Sequence, residues 1–373
     1  MAPRHRSGAH AGSDADQLRV TLKHSVVVVG SGIIGCAIAR ELSIRGAKVT
    51  VLDPRPIAGG ATQASAGMLA PYVEAHHSGP MLDLCVRSLD LYDRWIDDLR
   101  AESAVVEYRR SGTLQVALTP DDAERLRGEY GEWLAPEAVA ARVPALAETC
   151  GAMWIDRHGY VDAPQLARAL GASAERRGGR VAFGRVERLD SVSGAIRVQV
   201  GTEEAFDVRT VVLAAGAWTN RIEGVRTPPL RPVRGQLLHH TGGIGRIASI
   251  LWGPDCYIVP RDRGLLIGAT VEDAGFDERR TDEGVALLFT AAQRLLPALQ
   301  RDSIEEVRVG LRPVTPDELP VLGRDPEIHG LVHASGHYRN GVLLAPITAK
   351  LIADLVIDDV VDPALSHFRP DRF

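Results

Sequence analysis

Three glycines, Gly30, Gly32 and Gly35, stand in the spacing G-x-G-x-x-G directly after the β-branched run 26–29, and a second apolar run, 48–52, ends in Asp53. Each residue type has a physical task in binding a dinucleotide. Gly30 lets the first strand turn sharply, Gly32 removes a Cβ so that a pyrophosphate approaches the backbone, and Gly35 lets the following helix lie close on the strands. The free amides of that helix then face the phosphates, with the helix dipole in support. Asp53 accepts hydrogen bonds from a ribose diol. Strand, glycines, helix, strand and acid arrive in order within about 30 residues, which distinguishes a nucleotide site from a glycine-rich turn.

A second chemistry belongs to Arg312, Arg339 and Tyr257. Arg312 lies between Leu311 and Pro313 after a strand-like stretch, and Arg339 sits in the glycine-flanked loop 335–341, so neither falls on a charged helical face. A guanidinium meets a carboxylate with two parallel charge-assisted hydrogen bonds, so such a pair suits the anchoring of an acid; ordinary salt bridges use the same groups. Tyr257 begins a strand, where its phenol completes a carboxylate site or packs. His337 shares the loop of Arg339, but its glycine-bounded position gives weight to its backbone, and no general base is nominated.

These residues need two kinds of scaffold. After Asp53 a nicotinamide enzyme continues with a helix and a strand, whereas this chain gives the small-residue run 58–68, with Ala61, Thr62, Ser65, Ala66, Gly67 and Met68. Such a backbone passes close against a flat, bulky group, and its hydroxyls are available to phosphates. Periodicity then predicts a helix over 81–99, a strand over 111–118, a charged helix from Pro120, and a helix from Pro164 to about Gly178 followed by a strand over 180–183. The run 209–218 reads as a buried strand, 222–232 as a proline-rich linker, and 233–240, 250–260 and 265–270 as strands of an antiparallel sheet. A helix over 285–299, a strand over 331–334 and a final helix over 342–357 complete the chain.

At 373 residues the chain exceeds one ordinary core, and two domains are expected. A net charge of −5 offers no basic surface, so nucleic acid is not an expected partner. No uninterrupted apolar run approaches the roughly 20 residues of a membrane span. Cys36, Cys85, Cys150 and Cys256 are scattered without metal-ligand spacing, as expected of idle thiols in a reducing compartment, and no metal is expected. Residues 1–24 are polar, lack an apolar signal core, and read as a disordered extension.

Six motifs in order, GSGIIG at 30–35, GGATQASAGMLAP at 59–71, VVLAAGAWT at 211–219, YIVPR at 257–261, GLRPVTPDELPVLG at 310–323 and GHYRNGVLLAP at 336–346, resemble the glycine oxidases of thiamine biosynthesis within the FAD-dependent D-amino-acid oxidase family. The resemblance runs from about Val26 to Leu355. It implies an α/β fold: a Rossmann-like FAD-binding domain from 25–90, 155–228 and 307–365, and an α+β substrate domain with an antiparallel sheet from 91–154 and 229–306. It implies noncovalent FAD held by Ile33, Ile34, Asp53, Ala61, Thr62, Ala66, Gly67, Met68, Val186 and the loop His337, Tyr338, Arg339, Asn340, Gly341, Val342 and Leu343. Substrate contacts would be Tyr257, Arg312 and Arg339.

The implied reaction is oxidative deamination of glycine or a related small amino acid by dioxygen in the cytoplasm. A tetramer, with thiazole synthase as recipient of the imine, belongs to the same expectation. Val271 departs from the family, where a Met often follows the strand ending in GAT. Two other readings stay open: a flavin oxidase or dehydrogenase for sarcosine, D-proline or a bulkier amine, and a dinucleotide sensor without turnover.

Overall fold

The computed structural model describes residues 25–74, 79–128, 130–226, 228–245 and 247–373, so the expectation for residues 1–24 lies outside the described residues. Ser25–Val29 forms the centre of a six-stranded sheet in the order Val321–Arg324, Leu331–Ser335, Thr210–Leu213, Ser25–Val29, Lys48–Asp53, Arg180–Phe183. All its pairings are parallel except that of the outermost strand Val321–Arg324. A parallel strand covered on both faces is apolar throughout, and Val26 to Val29 are all buried.

Helices Ile33–Ile44, Pro80–Ala101, Ala163–Arg176 and Gly341–Ala353 contribute to the core on one face of this sheet. A three-stranded meander, Val186–Val192, Ala195–Val200 and Glu204–Val208, packs on the other. The stretch Tyr338–Asp358 is apolar and long enough to cross a membrane, although Arg339, Lys350 and Asp354 interrupt its apolar run. It is 72% buried within the fold, as befits a core helix.

Eight strands form the second large sheet, in the order Ile304–Val314, Arg231–His240, Gly264–Gly268, Tyr257–Arg261, Ile250–Trp252, Thr113–Ala117, Gly151–Ile155, Glu132–Leu134. The expected antiparallel sheet is mixed: Ile250–Trp252 runs parallel to Thr113–Ala117. These two strands come from separate chain segments with no hairpin to dictate their direction. The expected linker 222–232 also ends earlier, because Arg231 and Pro232 already pair with Val314 and Pro313.

Three expected domain cuts fall inside elements. Position 306/307 interrupts Ile304–Val314, which pairs with Arg231–His240 along its length; 90/91 interrupts the helix Pro80–Ala101; and 154/155 interrupts Gly151–Ile155. Arg312 is therefore a residue of the second sheet, opposite Val233.

Helices on the first sheet are joined by an ion cluster. Glu102, just past Pro80–Ala101, accepts Arg40 at 3.0 Å, Arg176 at 2.9 Å and Arg177 at 2.8 Å, and Arg40 is buried. Burial pushes the Glu102 carboxyl up, but the hydrogen bonds from Arg177, Ser173, Arg176 and Arg40 outweigh it and hold the group well below the usual range. Glu102→Gln is expected to destabilise the protein by about 3 kcal/mol at pH 7, because Arg40 stays buried without its partner. A depressed folded pKa stabilises above the unfolded value and is lost as pH falls through the folded one. Urea midpoints of the two proteins should therefore begin to approach each other only as the pH falls below about 4, and meet only in stronger acid.

Candidate active site

The three fingerprint glycines divide their tasks as the sequence reading expects. Gly30 has φ +108°, and a Cβ there would overlap the Ala214 carbonyl. A Cβ on Gly35 would overlap the Gly30 carbonyl oxygen, so the helix Ile33–Ile44 rests directly on the turn. At Gly32, the N-cap residue, a Cβ would meet only Thr62 Oγ1, at 3.5 Å, and Gly32 itself has no side chain with which to cap the helix. Asp53 is pinned beneath, accepting the Ser31 amide at 2.6 Å and the Arg55 amide at 2.8 Å, with lone pairs left for a diol.

The run after Asp53 folds back over this turn. Its middle, Ala61–Ala64, is a single tight helical turn. Thr62 Oγ1 accepts the Ile33 amide at 3.0 Å and Ser65 Oγ accepts the Gly67 amide at 3.1 Å, so both hydroxyls brace the loop and keep a proton to donate. Gly67 has φ +65° and lies against the Val161 carbonyl, where a side chain would not fit. Arg261 supports the same loop. Its Nη2 donates to the Ala66 carbonyl at 2.7 Å and the Val161 carbonyl at 3.2 Å. Nothing local to YIVPR at 257–261 marks Arg261 for this task, since both carbonyls it meets belong to distant segments.

A continuous cleft of about 1770 Å³, its open part included, runs along these glycines and ends at the second sheet. Tyr257, Arg312 and Arg339, from three distant segments, all line it, and Glu74 lies among them, unassigned by the sequence reading. Arg312 Nη1 donates to the Thr270 carbonyl at 3.0 Å, and its guanidinium covers Gly235, where any side chain would displace it. Arg339 lies 5.4 Å over the ring of Tyr338. Burial is the main cause that pushes the Tyr257 phenol up to about 12, so it stands as a neutral donor.

Of the residues expected at the cofactor, Gly35, Asn340 and Leu343 do not line the cleft; the others do. Gly35 is packed under the turn, and Asn340 and Leu343 are buried. Val271, the departure from the family pattern, is 53% exposed and is not among the cleft residues. None of the four cysteines lines the cleft, and all four are free thiols.

His337 is buried with Nε2 3.1 Å from Thr348 Oγ1, and burial pushes its pKa down to about 3. His158, buried against Thr113, is likewise lowered to about 3, by burial first and then by Arg110 and Arg157. Both imidazoles are neutral at working pH. Unfolding lets both take up a proton below about pH 6.5, so stability falls with acid, by up to about 2.7 kcal/mol per pH unit for the pair. The urea midpoint should drop between pH 7 and 5.5, and the drop should be roughly halved in His337→Gln.

A helix start whose N-cap is glycine, a cradle of missing Cβ atoms, hydroxyls with protons to give and an acid at the strand end fit a dinucleotide; the further glycines of the cleft lining, Gly60, Gly216, Gly235 and Gly310, fit a bulky ring such as isoalloxazine. Fold and cleft together define a dinucleotide-binding α/β protein. A family model described as FAD dependent oxidoreductase matches residues 25–355, and the chain belongs to that family.

Among its relatives, a bifunctional protein ThiO/ThiG from Nostoc sp. (strain PCC 7120) is 39% identical over 94% of this chain and 55% of its own length. The chain thus spans about half the length of that relative. A glycine oxidase from Geobacillus kaustophilus is 34% identical over 90% of this chain and 94% of its own. The crystal structure of a glycine oxidase from the same organism superimposes with a TM-score of 0.87 at 33% identity, covering 95% of this chain and 100% of that one.

Proposed function

We propose that this chain oxidises glycine, or a related small amino acid such as sarcosine or a D-amino acid, to the imine, with noncovalent FAD as acceptor. The observation that carries the reading is the convergence of Arg312, Arg339 and Tyr257 at one end of the cleft. Two guanidinium groups and a neutral phenol suit a carboxylate, the group every α-amino acid has. Anchored there, the substrate presents its Cα–H toward the glycine-lined wall, and orientation supplies most of the acceleration. FAD, when bound, supplies a hydride acceptor at N5 and a route for the electrons to dioxygen, giving hydrogen peroxide. The imine then hydrolyses to an oxo acid and ammonia or passes to a thiazole synthase. Relatives named glycine oxidase and ThiO/ThiG support both the substrate and that partner. Four free thiols support a reducing, cytoplasmic setting. A homotetramer belongs to the same proposal.

An anaerobic titration tests this directly. Glycine should bleach the flavin band near about 450 nm, and air should restore it with stoichiometric peroxide; a quinone-linked dehydrogenase would reoxidise in air only slowly. Bleaching by a bulkier amine alone would move the substrate, and a flavin indifferent to every amine would leave a sensor. Acid precipitation of the same sample should leave all yellow colour in the supernatant.

A further inference from the structure

Glu74 is a carboxylate that lines the cleft beside Arg312, Arg339 and Tyr257 and that the anchoring of a substrate carboxylate does not use. It closes the short helix Pro71–Glu74 directly after the glycine-rich loop, is 8% exposed, and lines the cleft with Tyr257, Arg312 and Arg339. Its Oε2 is shielded from solvent and has no hydrogen-bond partner. An ionised carboxylate held this way is costly unless a ligand completes it. The titratable and charged groups around it are Arg339 and Arg312 on the loop and sheet sides, Tyr257 on its own strand, and Cys85 on the helix Pro80–Ala101. Burial raises the Glu74 pKa against the pull of Arg339 and Arg312, which brings the carboxylate closer to a proton acceptor for an amine.

The chemistry of the substrate supplies the missing partner. A free amino acid at neutral pH is a zwitterion, and an ammonium nitrogen has no lone pair with which to form C=N as hydride leaves Cα. Where Arg312, Arg339 and Tyr257 meet, the cleft offers cations for one end of the zwitterion and the Glu74 carboxylate for the other. Resting on the amine-oxidation reading, we propose that Glu74 receives the substrate ammonium beside the arginine-bound carboxylate and takes its proton before Cα is oxidised. One N–H bond breaks and one carboxyl O–H forms, leaving a neutral amine and neutral Glu74. No further reactant is consumed.

The test uses the FAD-loaded wild type and Glu74→Gln, which keeps shape and removes charge. Acetate, a carboxylate without an amine, is titrated into the oxidised enzymes and followed by perturbation of the flavin spectrum; glycine is followed by anaerobic bleaching across pH 6 to 9. The variant should bind acetate several-fold more tightly, having lost a repelling charge, and glycine at least about tenfold more weakly. Its bleaching rate at low glycine should rise about tenfold per pH unit, because only substrate already uncharged in solution reacts; the wild type should depend on pH much less steeply. Weakening of both ligands together would show a structural role and overturn the proposal. An unchanged pH profile in a variant whose wild type is bleached by glycine would overturn it while leaving the function standing. A wild-type flavin reduced by no amine would overturn both.

Discussion

Arg312→Ala should lower kcat/KM for the amino acid by about 100- to 1,000-fold, corresponding to about 3 to 4 kcal/mol for a buried carboxylate that loses its charged partner. The guanidinium is pre-positioned: one nitrogen is held by the Thr270 carbonyl at 3.0 Å, and the plane rests on Gly235 in the neighbouring strand. It therefore sacrifices little freedom on binding, and its fork matches both carboxylate oxygens. Arg312→Lys should recover only a small part of the loss, since an ammonium retains the charge without the fork. Arg339 is less constrained, stacked on Tyr338, and Arg339→Ala should fall in the same range at its lower end. Binding of acetate to the oxidised holoenzyme should weaken in parallel, separating lost anchoring from lost chemistry. Unchanged affinity for amino acid and acetate in either alanine variant would remove that arginine from the site.

Gly35→Ala should be the most damaging single-methyl change in the fold. The new Cβ would overlap the Gly30 carbonyl oxygen, a backbone atom of the strand turn that cannot swing aside as a side chain would. To relieve it the helix Ile33–Ile44 must lift from the sheet, taking with it the amides that face the phosphates and the packing of Cys36, Ile38 and Leu42 in the main core. Overpacking ordinarily costs about 1 to 3 kcal/mol, and a backbone clash lies at or beyond the upper end. The variant should be purified colourless or not at all.

Gly32→Ala is the control, because its Cβ meets only Thr62 Oγ1 at an ordinary contact distance while projecting where the pyrophosphate approaches. That protein should fold with near-normal stability as the apoprotein and bind FAD at least about tenfold more weakly, by direct titration. Equal FAD affinity in Gly32→Ala and wild type would mean that the cofactor does not pass over this glycine.

Much of this site is legible in the chain because local sterics write it there. Three glycines in fixed spacing, a β-branched run before them and an acid after the next strand are constraints of one βαβ unit, and the structure places each within about a turn of where the pattern puts it. The small-residue run after Asp53 is legible for the same reason: a backbone without side chains announces that something must come close to it. Helices such as Ala163–Arg176 and Asp282–Leu295 follow from apolar periodicity and N-terminal capping residues.

Contacts between distant segments are different, because no local pattern encodes them. Arg312 reaches the cleft through the register that sets it opposite Val233, and Arg261 through a carbonyl nearly 200 residues earlier in the chain. Glu74, three residues past the motif 59–71, looks in sequence like any surface acid. Its meaning comes from burial among two arginines and a tyrosine, which is a property of how the two sheets close on each other. The sequence by itself determined the dinucleotide half of the site, where each residue's task is set by its immediate neighbours. Tertiary structure alone decided the charge arrangement at the substrate end, because desolvation and electrostatic pairing exist only once segments far apart in the chain exclude water together.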